Sequence, residues 1–104
     1  MSDKIKELSD AIRLGATFRG QCYGSYSING LSCALGAAME AIGVNPDSSS
    51  ERKLMERLSM INDLQLTCPM CATTQMVTGM VIHLNDKHYW PRETIADYLE
   101  SNGY

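Results

Sequence analysis

Hydrophobic residues recur at intervals of three and four along most of the chain, a spacing typical of α-helices that bury one face. In residues 3–14 the apolar positions are Ile5, Leu8, Ala11 and Ile12. The same spacing predicts a helix over residues 48–61 and another that begins at residue 91.

Residues 31–42 form the most hydrophobic segment of the chain. One face carries Leu31, Ala34, Leu35, Ala38, Met39 and Ile42. The opposite face is made of small residues, and Glu40 is the only charged residue in the segment. A helix that is apolar on all sides is buried on all sides, so this segment predicts the central helix of the fold. Gly43 suits the left-handed position that ends such a helix, with Val44 as the hydrophobic residue after it.

The ends of the other helices are also marked in the sequence. Ser48 and Glu51 have the spacing of a capping box. Pro91 suits a helix start, because its missing N–H costs nothing there. Glycine favours helix ends, so we expect Gly15 to end the first helix and Asn102-Gly103 the last.

The segments between these helices are harder to assign. Residues 15–31 contain four of the eight glycines, which predicts an irregular loop, and its aromatic residues indicate that it packs onto the body of the protein. Residues 74–85 fit either a strand or a helix. We expect a helix, because Val77, Met80, Val81 and Leu84 have helical spacing. The polar residues 85–88 then predict a turn.

These elements predict an all-α fold of four or five helices in a single domain, residues 1–104, wrapped around residues 31–42. A length of 104 residues suits one domain. With 44% hydrophobic and 20% charged residues, the chain has the composition of a globular protein.

Charge and hydropathy exclude several classes of protein. The net charge of −3 and the pI near 5.2 differ from those of proteins that coat nucleic acids, so we expect no nucleic-acid partner. No apolar run approaches the ~20 residues of a membrane span, and no signal-peptide pattern follows Met1. We therefore expect a cytoplasmic protein without a membrane partner, in which cysteines stay reduced.

The pair Cys68-Pro69-Met70-Cys71 is the motif with the most chemical content. Two thiolates separated by two residues can bind one tetrahedral zinc ion from a tight turn, and zinc is the metal that thiolate and imidazole ligands favour. The alternatives are ordinary thiols without a metal and a thiol redox pair.

A zinc site needs two further ligands, and the sequence offers two ways to complete it. His83 and His88 give the spacing C-x2-C-x11-H-x4-H, close to that of a zinc finger. In a continuous helix, however, residues five apart point about 140° away from each other, so His83 and His88 converge only if the helix breaks before His88. Cys22 and Cys33 are the other candidates. We expect the ligand set Cys68, Cys71, Cys33 and His83, because Cys33 and His83 both lie on predicted helices.

Enzymatic motifs are scarce in this sequence. A small hydrolase or transferase that uses His83, Asp86 and His88 is one alternative, and a thiol redox protein that uses Cys68 and Cys71 is another. Residues 92–99 look like the first helix of a helix-turn-helix, but the acidic residues of this segment would face DNA phosphates unfavourably. The leading hypothesis is a non-enzymatic interaction or regulatory module with a protein partner, stabilised by zinc.

Three blocks of the sequence carry a family resemblance. They are Cys33-Ala-Leu-Gly-Ala-Ala38, Cys68-Pro-x-Cys71, and His83-Leu-Asn-Asp86 followed by Trp90-x-Arg92-Glu93-x-Ile95-Ala96-Asp97-x-Leu99-Glu100. Together they resemble a group of small bacterial and phage-borne proteins without an assigned activity. The resemblance implies that the blocks belong to one compact unit, and it implies no catalytic residues.

Overall fold

Five helices and two small antiparallel sheets make up the part of the chain that the computed structural model describes, residues 7–45, 50–58 and 65–104. The helices are α1 Leu8–Ala16, α2 Ala34–Ala41, α3 Ser50–Arg57, α4 Val77–Asp86 and α5 Arg92–Ser101. The sheets pair β1 Ser27–Ile28 with β2 Leu31–Ser32, and β3 Gln65–Thr67 with β4 Thr74–Met76.

The prediction of an all-α fold is wrong, because the fold is mixed α/β. Each strand has only two or three residues, too few for an alternation of polar and apolar positions to be recognised. β3 and β4 are also rich in polar residues, and most of their side chains are exposed. β4 occupies the start of the segment predicted as a helix over residues 74–85, so that helix begins at Val77.

The central helix is confirmed, with a later start than predicted. Residues 34–39 are all buried, and α2 packs against α1, α3 and α4. It begins at Ala34 because the preceding residues form β2 and because Cys33 caps it, with the Gly36 N–H donating to the Cys33 sulfur at 3.4 Å. The predicted end at Gly43 is confirmed: its φ is 79°, and the Val44 N–H donates to the Met39 carbonyl at 2.8 Å.

Two glycines let other segments approach α2 closely. Gly15 does not end α1 as predicted; it is buried inside the helix, where an added Cβ would overlap the carbonyl group of Ala37. A Cβ added to Gly36 would likewise overlap the carbonyl group of Tyr26, a residue of the glycine-rich loop. This loop is therefore packed onto the body of the protein, as predicted, although it also contributes β1.

The remaining helices agree with the sequence where the structure describes them. Leu54 of α3 and Leu58, which follows the helix, are buried, whereas the predicted cap at Ser48 and the predicted end at residue 61 lie outside the described residues. Pro91 is the N-cap residue of α5. The last helix ends at Asn102 and Gly103, as predicted.

Buried polar side chains, which the sequence pattern did not reveal, fix the loop to the last two helices. Asn85 is completely buried: its Oδ1 accepts from Gln21 Nε2 at 2.8 Å and from the Ala34 N–H at 3.1 Å, and its Nδ2 donates to the Cys22 carbonyl at 3.0 Å. Arg92 is also buried and donates to Ser32 and to the Arg19 carbonyl, in the segment after α1. The loop and the C-terminal half of the chain thus share one polar network.

Among the residues that the structure describes, no helix is long and apolar enough to cross a membrane.

Candidate metal centre

The cysteine pair lies at the tip of the second hairpin. β3 and β4 pair in the register Gln65↔Met76, Leu66↔Gln75 and Thr67↔Thr74. Two backbone hydrogen bonds close the tip, from the Cys68 N–H to the Thr73 carbonyl at 2.8 Å and from the Ala72 N–H to the Cys68 carbonyl at 2.9 Å. Ala72 has a φ of 63°, which allows the chain to reverse direction after Cys71. This turn holds the two sulfurs within 4.8 Å of each other.

α4 follows the hairpin without a connecting loop and carries His83. The helix ends at Asp86, and the chain then folds back on itself. The Trp90 N–H donates to the Leu84 carbonyl at 3.0 Å, and Tyr89 adopts the left-handed conformation with a φ of 56°. His88 therefore returns toward His83, with 4.8 Å between the ring centroids.

Four donor atoms converge at this point, from Cys68, Cys71, His83 and His88. All four lie within 4.8 Å of one another. The two histidine Nε2 atoms are 3.2 Å apart, and the Cys71 sulfur is 3.4 Å from the Nε2 of His83. Zn–N bonds of about 2.05 Å and Zn–S bonds of about 2.3 Å in a tetrahedron separate two nitrogens by about 3.3 Å and a nitrogen from a sulfur by about 3.6 Å. These two separations are thus close to the corresponding edges of a tetrahedral zinc site, and the other four are at most 4.8 Å.

The surroundings of Cys71 favour its thiolate. Hydrogen bonding to the side chain and backbone of Thr73, followed by the contacts with His88 and His83, lowers the pKa of Cys71 from 9.0 to about 5. Its sulfur lies 3.2 Å from the Thr73 hydroxyl oxygen. The thiolate is the form of cysteine that binds metals, so Cys71 is in its metal-binding form at neutral pH.

The structure brings together three of the four ligands expected from the sequence, Cys68, Cys71 and His83. Cys33 is not one of the four, because it caps α2 in the core. His88 stands in its place. The argument against His88 applies to a continuous helix, and α4 ends before that residue. The polar residues 85–88, which predict a turn, were the signal in the sequence that could have identified His88.

Cys22 and Cys33 form a separate, buried pair of thiols. Burial is the main reason that the pKa of each thiol is raised, and it raises the pKa of Cys33 to about 11. Both are therefore protonated at neutral pH, unlike the Cys71 thiol.

The order strand, strand, helix around the four residues is that of a Cys2His2 zinc finger. Such a finger needs apolar residues after its second cysteine, and here Val77, Met80, Val81 and Leu84 of α4 are all completely buried. They belong to the core cluster of the whole domain rather than to a small core within the finger. The hairpin and α4 are thus part of the larger fold.

The third member of the proposed catalytic set, Asp86, is directed elsewhere. One of its carboxylate oxygens accepts from Asn85 Nδ2 at 2.7 Å, and it is not part of the group of four. Each of the two histidines directs its Nε2 at the other.

Comparisons with protein-family models, with curated proteins and with solved structures give no match to this chain. The resemblance to small bacterial and phage-borne proteins stays a prediction.

Proposed function

We propose that this protein is a non-enzymatic interaction or regulatory module whose fold is stabilised by one zinc ion. Cys68 and Cys71 bind the ion through sulfur, and His83 and His88 bind it through Nε2. The observation that carries this proposal is the convergence of four donor atoms within 4.8 Å, from the hairpin tip, from α4 and from the turn after α4.

The donor set favours zinc over other metals. Thiolate and imidazole are the ligands of structural zinc sites, whereas magnesium and calcium prefer oxygen. Four protein ligands complete the tetrahedron and leave no coordination position for a substrate or a catalytic water. The role of the ion is therefore structural.

The site lies at a short hairpin, which a metal cross-link would stabilise. A two-stranded hairpin is marginally stable in water by itself, and β3 and β4 have three residues each. The Tyr98 hydroxyl donates to the Thr67 carbonyl at 2.9 Å, and this bond joins the hairpin to α5. A zinc ion joins the tip of the hairpin to the C-terminal end of α4 and to the turn after it.

A hydrogen bond is the alternative explanation for the contact between the histidines. Two neutral imidazoles can share one proton between Nε2 atoms that lie 3.2 Å apart. That explanation does not account for the two sulfurs at the same point, one of which favours its thiolate. Measurement of the metal content distinguishes a zinc site from a hydrogen bond between the histidines.

The experiment measures zinc per chain in purified, untagged protein, for the wild type and two single variants. We expect one zinc ion per chain in the wild type and in Cys33→Ser, and loss of zinc in His88→Ala. Chelation should also lower the melting temperature of the wild type markedly, because binding of structural zinc is coupled to folding. Wild-type protein without zinc contradicts the proposal. Zinc that persists in His88→Ala and disappears in Cys33→Ser contradicts this ligand set.

A further inference from the structure

One of the four proposed zinc ligands is open to solvent. Cys71 is exposed, whereas Cys22, Cys33 and Cys68 are each no more than 4% exposed. Structural zinc sites that are shielded from water protect their sulfurs, but here Cys71 is an exposed residue at the tip of a hairpin. The thiolate form that zinc binding maintains is also the form that oxidants attack.

A second sulfur is within reach of the first. Cys68 lies in the same turn as Cys71, and their sulfurs are within 4.8 Å of each other. A disulfide requires a separation of about 2.05 Å, so the sulfurs must close by less than about 3 Å. Residues 69–72 are all exposed, which leaves room for this movement.

We propose that Cys71 is a site of oxidation by hydrogen peroxide, and that a disulfide between Cys71 and Cys68 then forms and releases the zinc. This proposal rests on the proposed zinc site.

The two steps of the reaction balance with hydrogen peroxide as the oxidant. The Cys71 thiolate attacks one peroxide oxygen; the S–O bond forms, the O–O bond breaks, and hydroxide leaves. The Cys68 thiolate attacks the Cys71 sulfur of this sulfenic acid; the S–S bond forms, and a second hydroxide leaves. The two electrons that the sulfurs lose reduce the peroxide. Zinc retains only two imidazole ligands and dissociates.

Release of the ion changes the surface beside the site. His88 is followed by Tyr89, which is 65% exposed and packs edge-on against Tyr23 with 5.2 Å between the ring centroids. Next comes Trp90, the single tryptophan, whose carbonyl accepts from Gln21 Nε2 at 2.8 Å. Loss of the zinc removes one of the contacts that hold this turn, beside the hydrogen bonds of Trp90. Oxidation thereby loosens the segment that carries Tyr89 and Trp90.

The test treats zinc-loaded protein with hydrogen peroxide and follows three signals on one sample. A colorimetric zinc chelator reports the released ion, thiol titration reports the remaining cysteines, and Trp90 fluorescence reports the turn. We expect release of one zinc per chain, a fall from four reactive thiols to two after denaturation, and a disulfide between Cys68 and Cys71 in peptide mapping. Dithiothreitol with added zinc should reverse all three signals.

The matched control is Cys33→Ser, which removes a buried thiol outside the site and keeps all four proposed ligands. It should bind zinc and release it under peroxide as the wild type does. Zinc-loaded wild-type protein that keeps its ion under peroxide contradicts the switch and leaves the zinc site standing, whereas protein that never binds zinc contradicts both. The peptide map of the oxidised wild type decides which cysteines react: a disulfide between Cys68 and Cys71 that forms in step with zinc release supports the switch, and oxidation at Cys22 or Cys33 overturns it.

Discussion

At the scale of single residues, the four cysteines belong to two chemically different environments. Cys22 and Cys33 are buried in the core, and burial raises the pKa of both thiols. Cys68 and Cys71 lie at the tip of a hairpin beside two histidines, where the pKa of Cys71 is lowered. The first pair fills space in the core and caps a helix, and the second pair has the chemistry of a metal site.

The burial of Cys33 makes a prediction about stability at alkaline pH. Its pKa is raised from 9.0 to about 11 in the folded protein. Between these values the folded protein keeps the proton and the unfolded chain loses it, so the free energy of unfolding falls as the pH rises from 9 to 11. We expect this thiol to contribute a decrease of about 1–3 kcal/mol.

Denaturant unfolding of the wild type and of Cys33→Ser at several pH values checks this expectation. Serine keeps the cap of α2 and does not ionise in this range, so the variant should lose less stability between pH 9 and 11 than the wild type. Equal losses in the two proteins would show that another group causes the decrease.

At the scale of elements, patterns within one helix were predictable and contacts between elements were not. The apolar positions of residues 31–42 identified the central helix, and Gly43 identified its end. The sequence did not reveal the strands because each is short and mostly polar, so it shows no periodicity. Which strands pair with each other depends on contacts between segments, and no local pattern records those contacts. The sequence favoured Cys33 over His88 because Cys33 lies on a predicted helix and His88 lies in the predicted turn of residues 85–88.

A charge inside the central helix tests its place in the core. Ala38 of α2 is completely buried. Ala38→Asp should therefore cost several kcal/mol of stability, because it buries a carboxylate without a partner. Ala41→Asp is the matched control, since Ala41 lies in the same helix and is only partly buried.

Thermal unfolding of the two variants provides the comparison. We expect a large fall in the melting temperature for Ala38→Asp and a smaller one for Ala41→Asp. A melt of Ala38→Asp within one or two degrees of the wild type would show that α2 is not the core of the fold.

At the scale of the whole molecule, polar contacts join segments that are distant in the sequence, and charged residues collect on one face of the surface. Asn85 and Arg92 join the glycine-rich loop to α4 and α5, and no local sequence pattern indicated either contact. Arg13 binds Glu93, Asp97 and Glu100 on the outer face of α1 and α5, where carboxylates outnumber guanidinium groups. The sequence could supply the net charge, but only the fold shows that several of these acidic residues share one face.

This charge distribution leads to a prediction about DNA. Although the hairpin and α4 have the order of a zinc finger, Val77, Met80 and Val81 of that helix are buried and unavailable to a major groove. With a net charge of −3, we expect no binding to duplex DNA tighter than ~10⁻⁵ M at physiological salt. Titration against random and genomic fragments checks this, and a nanomolar affinity that depends on sequence would contradict it.

The central claim is that zinc is bound by two sulfurs and two nitrogens, and X-ray absorption spectroscopy at the zinc edge tests it most directly. The measurement counts the ligand atoms of each type and gives their distances in the purified protein. The account predicts two sulfurs at about 2.3 Å and two histidine nitrogens at about 2.0–2.1 Å. A shell of three sulfurs and one nitrogen, as Cys33 in place of His88 would give, or a shell of oxygen ligands, would contradict it.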